Sequence, residues 1–359
     1  MSEEKKRILK LVEDGVLSAE EGLALLEKLE KPKEKTFEIS TNVDWENEQE
    51  RLEQGESNTS LRQKIFEFID ETIEKIKKVD LDLNFGAYEE VSHIFQLRGE
   101  NFEDVIIDLS NGDLQIELWD DPDVRVECKA KVYHAKSKEH AKEFFLDHVD
   151  ASVREGLFHF SSDSKKVKSD VKLYFPKHSY EKLVARLFNG TIQTKSMDIG
   201  KVTLKTANGK IRVEQLKAEE LEVETSNGNI LLEDVSLNEC DVESINGKIQ
   251  LVGAFSKVDV QTVNGSIDCQ WKDGLPRAGF FRNTSGNINL TLPRHVQIHA
   301  ELKTALGNTS CNLDDYHVIE ERKDVLGKYL HVEAQKEQES TLHIDAESKT
   351  GSIQIQSNS

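Results

Sequence analysis

The fold of this chain is decided by four short stretches that resemble one another, TANGKIRV at 206–213, TSNGNILL at 225–232, SINGKIQL at 244–251 and TVNGSIDC at 262–269. Weaker copies follow as NTSGNINL at 283–290 and TALGNTSC at 304–311. From Gly190 to Gly307 the motif glycines recur at steps of 19, 19, 19, 18, 21 and 21 residues. Gly351 follows after 44 residues, which we interpret as two steps of 22 with one motif worn away. Such a short period is typical of a solenoid, in which each repeat buries its apolar face only against its neighbours.

Apolar and polar residues alternate on both sides of each Asn-Gly pair. Val202 and Leu204 precede Gly209, and Ile211 and Val213 follow it. This period of two predicts two short strands per repeat, joined by a turn in which glycine supplies a positive φ that asparagine also tolerates. If the coils stack in register, the asparagines form one ladder and the hydroxyls three residues before each glycine form another. The predicted turn residues are Asn208, Gly209, Asn227, Gly228, Asn246, Gly247, Asn264 and Gly265.

The predicted fold class is therefore mainly β, a β-solenoid of 19–22-residue coils with a helical hairpin at its N-terminus and an amphipathic capping helix. Ser18 and Glu21 form a capping box inside the hairpin, and Phe66, Ile69 and Ile73 begin the apolar stripe of the capping helix. The predicted segments are a helical hairpin at 1–32, an acidic flexible linker at 33–60, the amphipathic helix at 61–80, the first β-coils at 81–182 with a helical insertion near 137–149, and the regular repeats at 183–359.

Acidic residues occupy many of the outward positions six and four residues before the motif glycines. Glu222, Glu224, Asp241 and Glu243 begin this pattern. It continues through Asp259, Glu301, Asp345 and Glu347. The sequence therefore predicts an acidic stripe along one sheet, for which two interpretations stay open. The stripe is either a solvated face that discourages aggregation, or a docking surface for a cationic peptide, a basic protein segment or divalent cations.

The charge balance limits the choice of partners. The chain has 67 acidic and 47 basic residues and a formal net charge of −20, which argues against nucleic-acid binding. No apolar run of about 18 residues predicts a membrane span, and the first residues, MSEEKKRILKLVEDG, do not follow the order of a signal peptide. We therefore expect a cytoplasmic protein, peripheral to the membrane in one version of this hypothesis, with display at the cell surface by a non-classical route as the alternative.

No motif predicts catalysis, a cofactor or a metal. The histidines show no HExxH spacing, and the chain has neither a P-loop nor a GxGxxG stretch. The cysteines are scattered and read as small buried hydrophobic residues: Cys128, Cys240, Cys269 and Cys311. We therefore expect no enzyme. A carbohydrate-active β-helix enzyme is a minor alternative. Such an enzyme needs carboxylates clustered with basic residues in a groove, and the sequence shows no motif for such a cluster.

Three parts of the chain together resemble a known family. These are ILKLVEDGVLSAEEGLALLEKL at 8–29, DLDLNFGAYEEVSHIFQ at 80–96, and the repeated SNGNI, INGKI and VNGSI. They resemble the YvlB-like family of bacterial β-strand-repeat proteins, of the putative adhesin type, which is related to the daptomycin-sensing surface protein LiaX. The resemblance implies a role in the cell-envelope stress response of Gram-positive bacteria, alongside membrane proteins of the phage-shock type. It supplies no catalytic residues.

The first functional hypothesis is a non-enzymatic scaffold or sensor in envelope stress. Leu23, Leu26 and Leu29 would bind a partner through the hairpin, and the hairpin is also a possible site of homo-oligomer formation. Glu222, Glu224, Asp241 and Glu243 would bind a partner through the solenoid surface. The expected partners are membrane-associated envelope-stress proteins of the phage-shock type or cationic peptides. The alternative is a surface-exposed adhesin or a sensor of cationic antimicrobial peptides.

Overall fold

The computed structural model describes residues 86–99, 101–272, 274–324, 327–336, 338 and 340–358. The predicted hairpin at 1–32, the linker at 33–60 and the capping helix at 61–80 therefore lie outside the described residues, as do Leu23, Leu26 and Leu29. Within the described part, hydrogen bonds link 21 strands into one sheet. The prediction of a mainly β chain is confirmed.

The N-terminal part of the described chain contains seven strands and one short helix, α1, which lies in the segment where helical spacing predicts one. The elements are β1 (Tyr88–Leu97), β2 (Asp104–Asn111), β3 (Leu114–Trp119), β4 (Val124–Tyr133), α1 (Lys138–Asp147), β5 (Val149–Arg154), β6 (Leu157–Ser162) and β7 (Val167–Pro176). The central strands are β8 (Tyr180–Asn189), β9 (Ile192–Asn208), β10 (Ile211–Asn227), β11 (Ile230–Asn246) and β12 (Ile249–Asn264). The C-terminal strands are β13 (Ile267–Trp271), β14 (Ala278–Ser285), β15 (Ile288–Leu292), β16 (Gln297–Thr304), β17 (Thr309–Asn312), β18 (Tyr316–Asp324), β19 (Gly327–Ala334), β20 (Thr341–Thr350) and β21 (Ile353–Ser357).

Each central strand runs from one Asn-Gly pair to the next and lies parallel to its neighbours. Ile211 of β10 lies opposite Ile192 of β9 and Ile230 of β11, so equivalent residues of successive repeats stack directly. Buried and outward residues alternate along β10 in three runs. The alternation breaks at Glu214–Gln215 and at Glu219–Glu220, where the chain bends. The inward positions of β10 are Ile211, Val213, Leu216, Ala218, Leu221, Val223 and Thr225.

The strands form two ladders on either side of the motif glycines. The post-glycine ladder contains the segments that follow each glycine, in the spatial order β1, β4, β7, β3, β9, β10, β11, β12, β13, β15, β21 and β17. The pre-glycine ladder contains the segments that precede each glycine, in the order β5, β6, β2, β8, β9, β10, β11, β12, β14, β20, β16, β19 and β18.

Antiparallel strands and helix α1 close the N-terminal end of both ladders. Strands β1 and β4 continue the post-glycine ladder, and β5 continues the pre-glycine ladder. Ser137 caps α1 by accepting a hydrogen bond from the backbone N–H of His140, at 3.2 Å. Ala141 and Phe145 on the inner side of α1 are buried in the core. These elements cover the edge strands of the parallel stack, so the backbone N–H and C=O groups of those strands are not available for pairing with another chain.

The C-terminal coils do not follow the sequence order, which corrects one prediction. Gly351 lies between Gly286 and Gly307, because β21 pairs with β15 on one side and with β17 on the other. Strand β20 lies between β14 and β16 in the same way. The 43 residues between Gly307 and Gly351 do not contain a worn motif. They contain the antiparallel hairpin β18–β19, which extends the ladder beyond β16.

The core is a continuous apolar interior between the ladders. Its larger side chains include Phe255, Trp271 and Phe281, which contact one another edge to face. Three of the cysteines are buried in this core and Cys311 is half-buried against it. Burial raises the pKa of the Cys128 thiol to about 12, so it stays protonated and packs as a small apolar residue.

Candidate functional site

The outer face of the pre-glycine ladder carries two columns of stacked side chains, six and four residues before the motif glycines in the regular repeats. Strand pairing places neighbours in each column about 4.8 Å apart. The first column contains Val184, Thr203, Glu222, Asp241, Asp259, Phe280, Asp345, Glu301 and His331. The second column contains Arg186, Lys205, Glu224, Glu243, Gln261, Arg282, Glu347, Lys303 and Tyr329.

Five carboxylates gather on three adjacent strands, and we call them the acidic patch. They are Glu222 and Glu224 of β10, Asp241 and Glu243 of β11, and Asp259 of β12. The patch therefore brings together all four of the site residues that the sequence predicted on the solenoid surface.

The predicted stripe is shorter than expected. Phe280 and Arg282 of β14 lie next to β12 and end the patch on one side. Lys205 of β9 borders it on the other side. Asp345 and Glu347 follow only beyond β14. The acidic positions thus form a local patch within a band of alternating charge.

Lys205 connects the two glutamates of β10. Its Nζ lies 2.8 Å from Glu222 Oε1 and 2.8 Å from Glu224 Oε1, and its side chain is only 19% exposed. The hydroxyl of Thr203 donates to Glu222 Oε2 at 3.3 Å. Glu222 is thus held by two donors, while Glu224 shares the lysine with it.

The two glutamates differ in pKa because they share one cation. Burial alone would raise the pKa of Glu222, but the hydrogen bond and charge of Lys205 outweigh burial and hold this pKa below its ordinary value. Burial raises the pKa of Glu224 above its ordinary value, and the neighbouring charge of Glu222 adds to this effect. Burial would lower the pKa of Lys205, but its hydrogen bonds to both glutamates raise it. Glu224 is therefore the member of this group that takes up a proton first as the pH falls.

The outer face of the post-glycine ladder is more evenly balanced in charge. Arg212 lies between two glutamates. Its Nε is 2.5 Å from Glu214 Oε1, and its Nη2 is 3.0 Å from Glu233 Oε2. Lys248 pairs with Asp268 at 2.7 Å. These pairs are exposed and contribute little to stability. Because its charges are paired in this way, the outer face of the post-glycine ladder is a suitable control surface for experiments on the acidic patch.

The asparagines of the turns form the predicted ladder. The amide of Asn208 donates to Asn189 at 3.0 Å, and those of Asn227, Asn246 and Asn264 donate to the preceding asparagine at 2.9 Å each. These side chains bind one another along the stack, which is a structural role.

The predicted hydroxyl ladder differs in its partners. The hydroxyl of Thr206 donates to the backbone carbonyl of Gly190 at 3.1 Å, and that of Thr225 donates to Gly209 at 3.1 Å. Each of these hydroxyls therefore binds the glycine corner of the preceding coil, and not the hydroxyl of its neighbour.

The reason for glycine at most of these turns differs from the prediction. Gly190 and Gly286 have positive φ, at 146° and 124°, but the backbones of Gly209, Gly228 and Gly247 lie outside this region. A Cβ at Gly228 would lie 1.9 Å from the carbonyl oxygen of Gly209 in the next coil. Glycine is required there because the backbones of adjacent coils approach closely, and the expected positive φ was wrong.

Each regular coil has a second corner that the sequence analysis missed. Ser196, Gln215 and Asp234 have φ of 56°, 55° and 55°, and each lies six residues after a motif glycine. The recurrence of a polar residue at this position was the available signal. The coil of β12 lacks the residue, because the register shifts between Glu233 and Val235. This deletion explains the single step of 18 residues.

Neither a preformed metal site nor a membrane-spanning helix is present in the described part of the chain. Among those residues, no group of three or more His, Cys, Asp or Glu side chains is already placed to hold a metal ion. None of the helices searched there has the length and apolar character of a membrane span.

The stacked coils with their repeated glycine corners define a class of β-strand-repeat protein. Comparison with known sequences identifies the family within this class. The chain belongs to the Toastrack DUF4097 family, whose profile matches residues 102–356. A SHOCT-like domain matches residues 3–34, the region of the predicted hairpin. Among individual relatives, the chain is 43% identical to YvlB, an uncharacterised protein of Bacillus subtilis, over 99% of both chains.

Comparison with solved structures found distant matches from other bacteria. A putative adhesin of Bacteroides fragilis is 11% identical, with a TM-score of 0.43 over 75% of this chain and 97% of that one. A putative lipid binding protein of Parabacteroides distasonis is 14% identical, with a TM-score of 0.37 over 75% of this chain and 97% of that one.

Proposed function

We propose that this protein is a non-enzymatic scaffold or sensor of the bacterial cell-envelope stress response, which binds a basic segment of a partner protein at the acidic patch. The observation that carries the proposal is the position of five carboxylates on three adjacent strands, at the fixed spacing of a sheet. The second binding element is the N-terminal region that matches a SHOCT-like domain. Leu23, Leu26 and Leu29 in that region would recruit a second partner.

The physical basis is electrostatic. Glu222 lies opposite Asp241, and Glu224 lies opposite Glu243, so like charges face each other between neighbouring strands. Such pairs are destabilising unless cations compensate them. Basic side chains of an extended peptide, about 7 Å apart on one side of the peptide, match the spacing of residues two apart in a strand. A basic peptide bound there would place cations beside these facing carboxylates.

The partners and the location are a further part of this proposal. We infer that the protein acts in the cytoplasm at the membrane surface, with membrane-associated proteins of the phage-shock type as partners. The acidic patch also supports a second candidate, a surface-displayed adhesin or sensor that binds cationic antimicrobial peptides. Protease treatment of intact cells separates the two, because only a surface-displayed protein would be digested.

The test uses a patch variant and a variant matched in charge. The patch variant carries Glu222→Gln, Glu224→Gln, Asp241→Asn and Glu243→Gln. The control carries Glu117→Gln, Glu214→Gln, Glu233→Gln and Asp268→Asn on the outer face of the post-glycine ladder. Affinity for a lysine-rich peptide and capture of partners from cross-linked cells are measured for each, with and without the first 35 residues.

We expect the patch variant to lose at least about tenfold in affinity for the basic peptide, which is the loss of roughly one strong charged contact. The control should bind like the wild type. Equal affinity of the patch variant and the wild type for every basic partner would reject the role of the acidic patch. Partner capture that survives both removal of the first 35 residues and charged substitutions at Leu23, Leu26 and Leu29 would reject the role of the hairpin.

A further inference from the structure

Imidazole and carboxylate side chains gather on the outer face of the pre-glycine ladder at its C-terminal end. Four adjacent strands, β20, β16, β19 and β18, place one such residue each in a single row across the sheet: His343, His299, Glu333 and His317. A second row, two residues further along, contains Asp345, Glu301, His331 and Glu320. Residues paired across strands point to the same face of a sheet, so both rows share one surface.

The first row brings three possible ligand groups together. Nδ1 of His299 lies 3.8 Å from Oε1 of Glu333. On the other side of His299, the ring of His343 lies with its centroid 5.3 Å away, at an interplanar angle of 54°. The side chains of His299 and Glu333 are 30% and 22% exposed, and His343 is exposed. The row is therefore accessible to an ion from solvent but partly shielded by its neighbours.

We propose that His299, His343 and Glu333 bind a divalent transition-metal ion of the zinc class. Two imidazoles and one carboxylate are a ligand set that zinc accepts, with metal–ligand distances of about 2.0–2.2 Å. Ligand atoms at the corners of a tetrahedron of that size lie about 3.3–3.6 Å apart. The separation of 3.8 Å between His299 and Glu333 is already close to this value.

The binding requires a change of side-chain rotamer at His343. Among the described residues no three such side chains yet surround a common point at ligand distance. Because His343 is exposed, its ring can move between staggered rotamers at low cost. Its position directly opposite His299 in the parallel register keeps its Cβ within reach of the same ion.

Neighbouring groups hold the other two ligands in orientations that suit a metal. The amide Nε2 of Gln297 lies 2.9 Å from Nε2 of His299, so the amide fixes the ring and leaves Nδ1 toward Glu333. On metal binding, the same amide can turn its oxygen to accept the Nε2–H, as outer partners of metal-bound histidines do. Nζ of Lys336 lies 2.7 Å from Oε2 of Glu333, which leaves Oε1 for the ion.

The ligands come from three adjacent strands of the sheet, and the central strand β16 is distant in sequence from the other two. His299, Glu333 and His343 belong to β16, β19 and β20. An ion bound to all three would fasten the inserted strand β20 and the hairpin strand β19 to β16. The proposed ion therefore stabilises the end of the stack, with water as the fourth ligand.

The test is zinc binding by the full-length chain, measured by isothermal titration calorimetry with Zn²⁺ and by the visible absorption of bound Co²⁺. The variants are His299→Ala, His343→Ala and Glu333→Gln. The matched control is His159→Ala, which removes an imidazole that faces Asp108 and Asp150 at the other end of the same ladder. Circular dichroism of each metal-free protein establishes that it is folded, and the zinc-induced rise in Tm is recorded for each.

We expect the wild type and His159→Ala to bind one ion with equal affinity and to gain the same increase in Tm. Each of the three ligand variants should bind zinc about 10–100-fold more weakly, as the loss of a supporting group at a metal site already does. Wild-type affinity in all three ligand variants, or loss of binding in His159→Ala alone, would overturn the proposal. A variant that does not fold is replaced by His299→Gln or His343→Gln, for which the same outcomes apply.

Discussion

At the scale of single residues, the approach of neighbouring backbones decides which side chains are tolerated. The motif glycines form one column, in which each glycine lies against the carbonyl oxygen of the glycine in the next coil. Asparagines beside them bind one another through their amides, and threonine hydroxyls bind the glycine carbonyls. A side chain at the glycine position would push two coils apart, whatever its polarity.

Replacing Gly228 by alanine tests this explanation. The new Cβ would lie 1.9 Å from the carbonyl oxygen of Gly209, so two backbones must move apart. We expect a loss of about 3 kcal/mol or more in the free energy of unfolding, measured by urea denaturation. Gly156→Ala is the control, because it has a φ of 79° but no atom within 4 Å of the new Cβ, and it should lose only about 1 kcal/mol. Equal losses in the two variants would show that backbone conformation, and not close approach, requires the motif glycines.

At the scale of elements, parallel pairing in register turns single charges into columns. The strand β10 places Glu222 and Glu224 opposite Asp241 and Glu243 of β11. On its other side Lys205 of β9 binds both glutamates. Lys205 of β9 therefore compensates the charge of both glutamates of β10, and this compensation depends on pH.

Replacing Lys205 by methionine removes the shared cation. Glu222 has a lowered pKa in the folded protein, so it contributes stability above its unfolded pKa, and that contribution is lost as the pH falls through its folded pKa. Glu224 has a raised pKa and costs stability as the pH rises. We expect the variant to be about 1–2 kcal/mol less stable at neutral pH, toward the lower value because Glu222 is 40% exposed.

The difference between wild type and Lys205→Met should shrink as the pH falls from about 6 to about 3, because the carboxylates then take up protons and no longer repel one another. Urea denaturation at stepped pH measures it. Lys195→Met serves as the control, since Lys195 is 61% exposed and lies 4.0 Å from Glu214. A difference that stays constant over this pH range would contradict the assigned role of Lys205.

At the scale of the whole described stack, the last part of the chain is an internal element. Strands β20 and β21 lie between coils that precede them in the sequence, with β14 and β15 on one side and β16 and β17 on the other. Folding of this end therefore requires contacts between residues far apart in the sequence, which form late because closing long loops costs entropy.

Ending the chain at residue 339 tests this arrangement. Removal of β20 and β21 should expose both β14 and β16, because each loses a pairing partner. Hydrogen exchange measured by mass spectrometry is expected to show loss of protection in β14, β15, β16 and β17, while β9 to β11 keep theirs. If the coils followed the sequence order, β14 and β15 would keep a neighbouring coil on each side. Unchanged protection of β14 and β15 would therefore contradict the inserted position of the C-terminal strands.

The sequence repeat by itself determined most of the architecture of the regular coils. The period of 19 residues and the alternation around each Asn-Gly pair predict strands, parallel stacking and the inward residues, because identical coils can bury their apolar columns only by stacking. The outward carboxylates of β10 and β11 follow from the same alternation. The asparagine ladder follows as well, since equal positions in adjacent coils must lie side by side.

Only the tertiary structure decided features that depend on contacts between distant residues. The close approach of Gly228 to Gly209 requires glycine without a positive φ, which local turn chemistry does not indicate. The placement of β20 beside β16 brings Asp345 next to Glu301 and His343 next to His299, although 43 residues lie between the members of each pair in the sequence. A sequence pattern records which face a residue occupies, but the choice of neighbouring strand is made by the long-range pairing that closes the end of the stack.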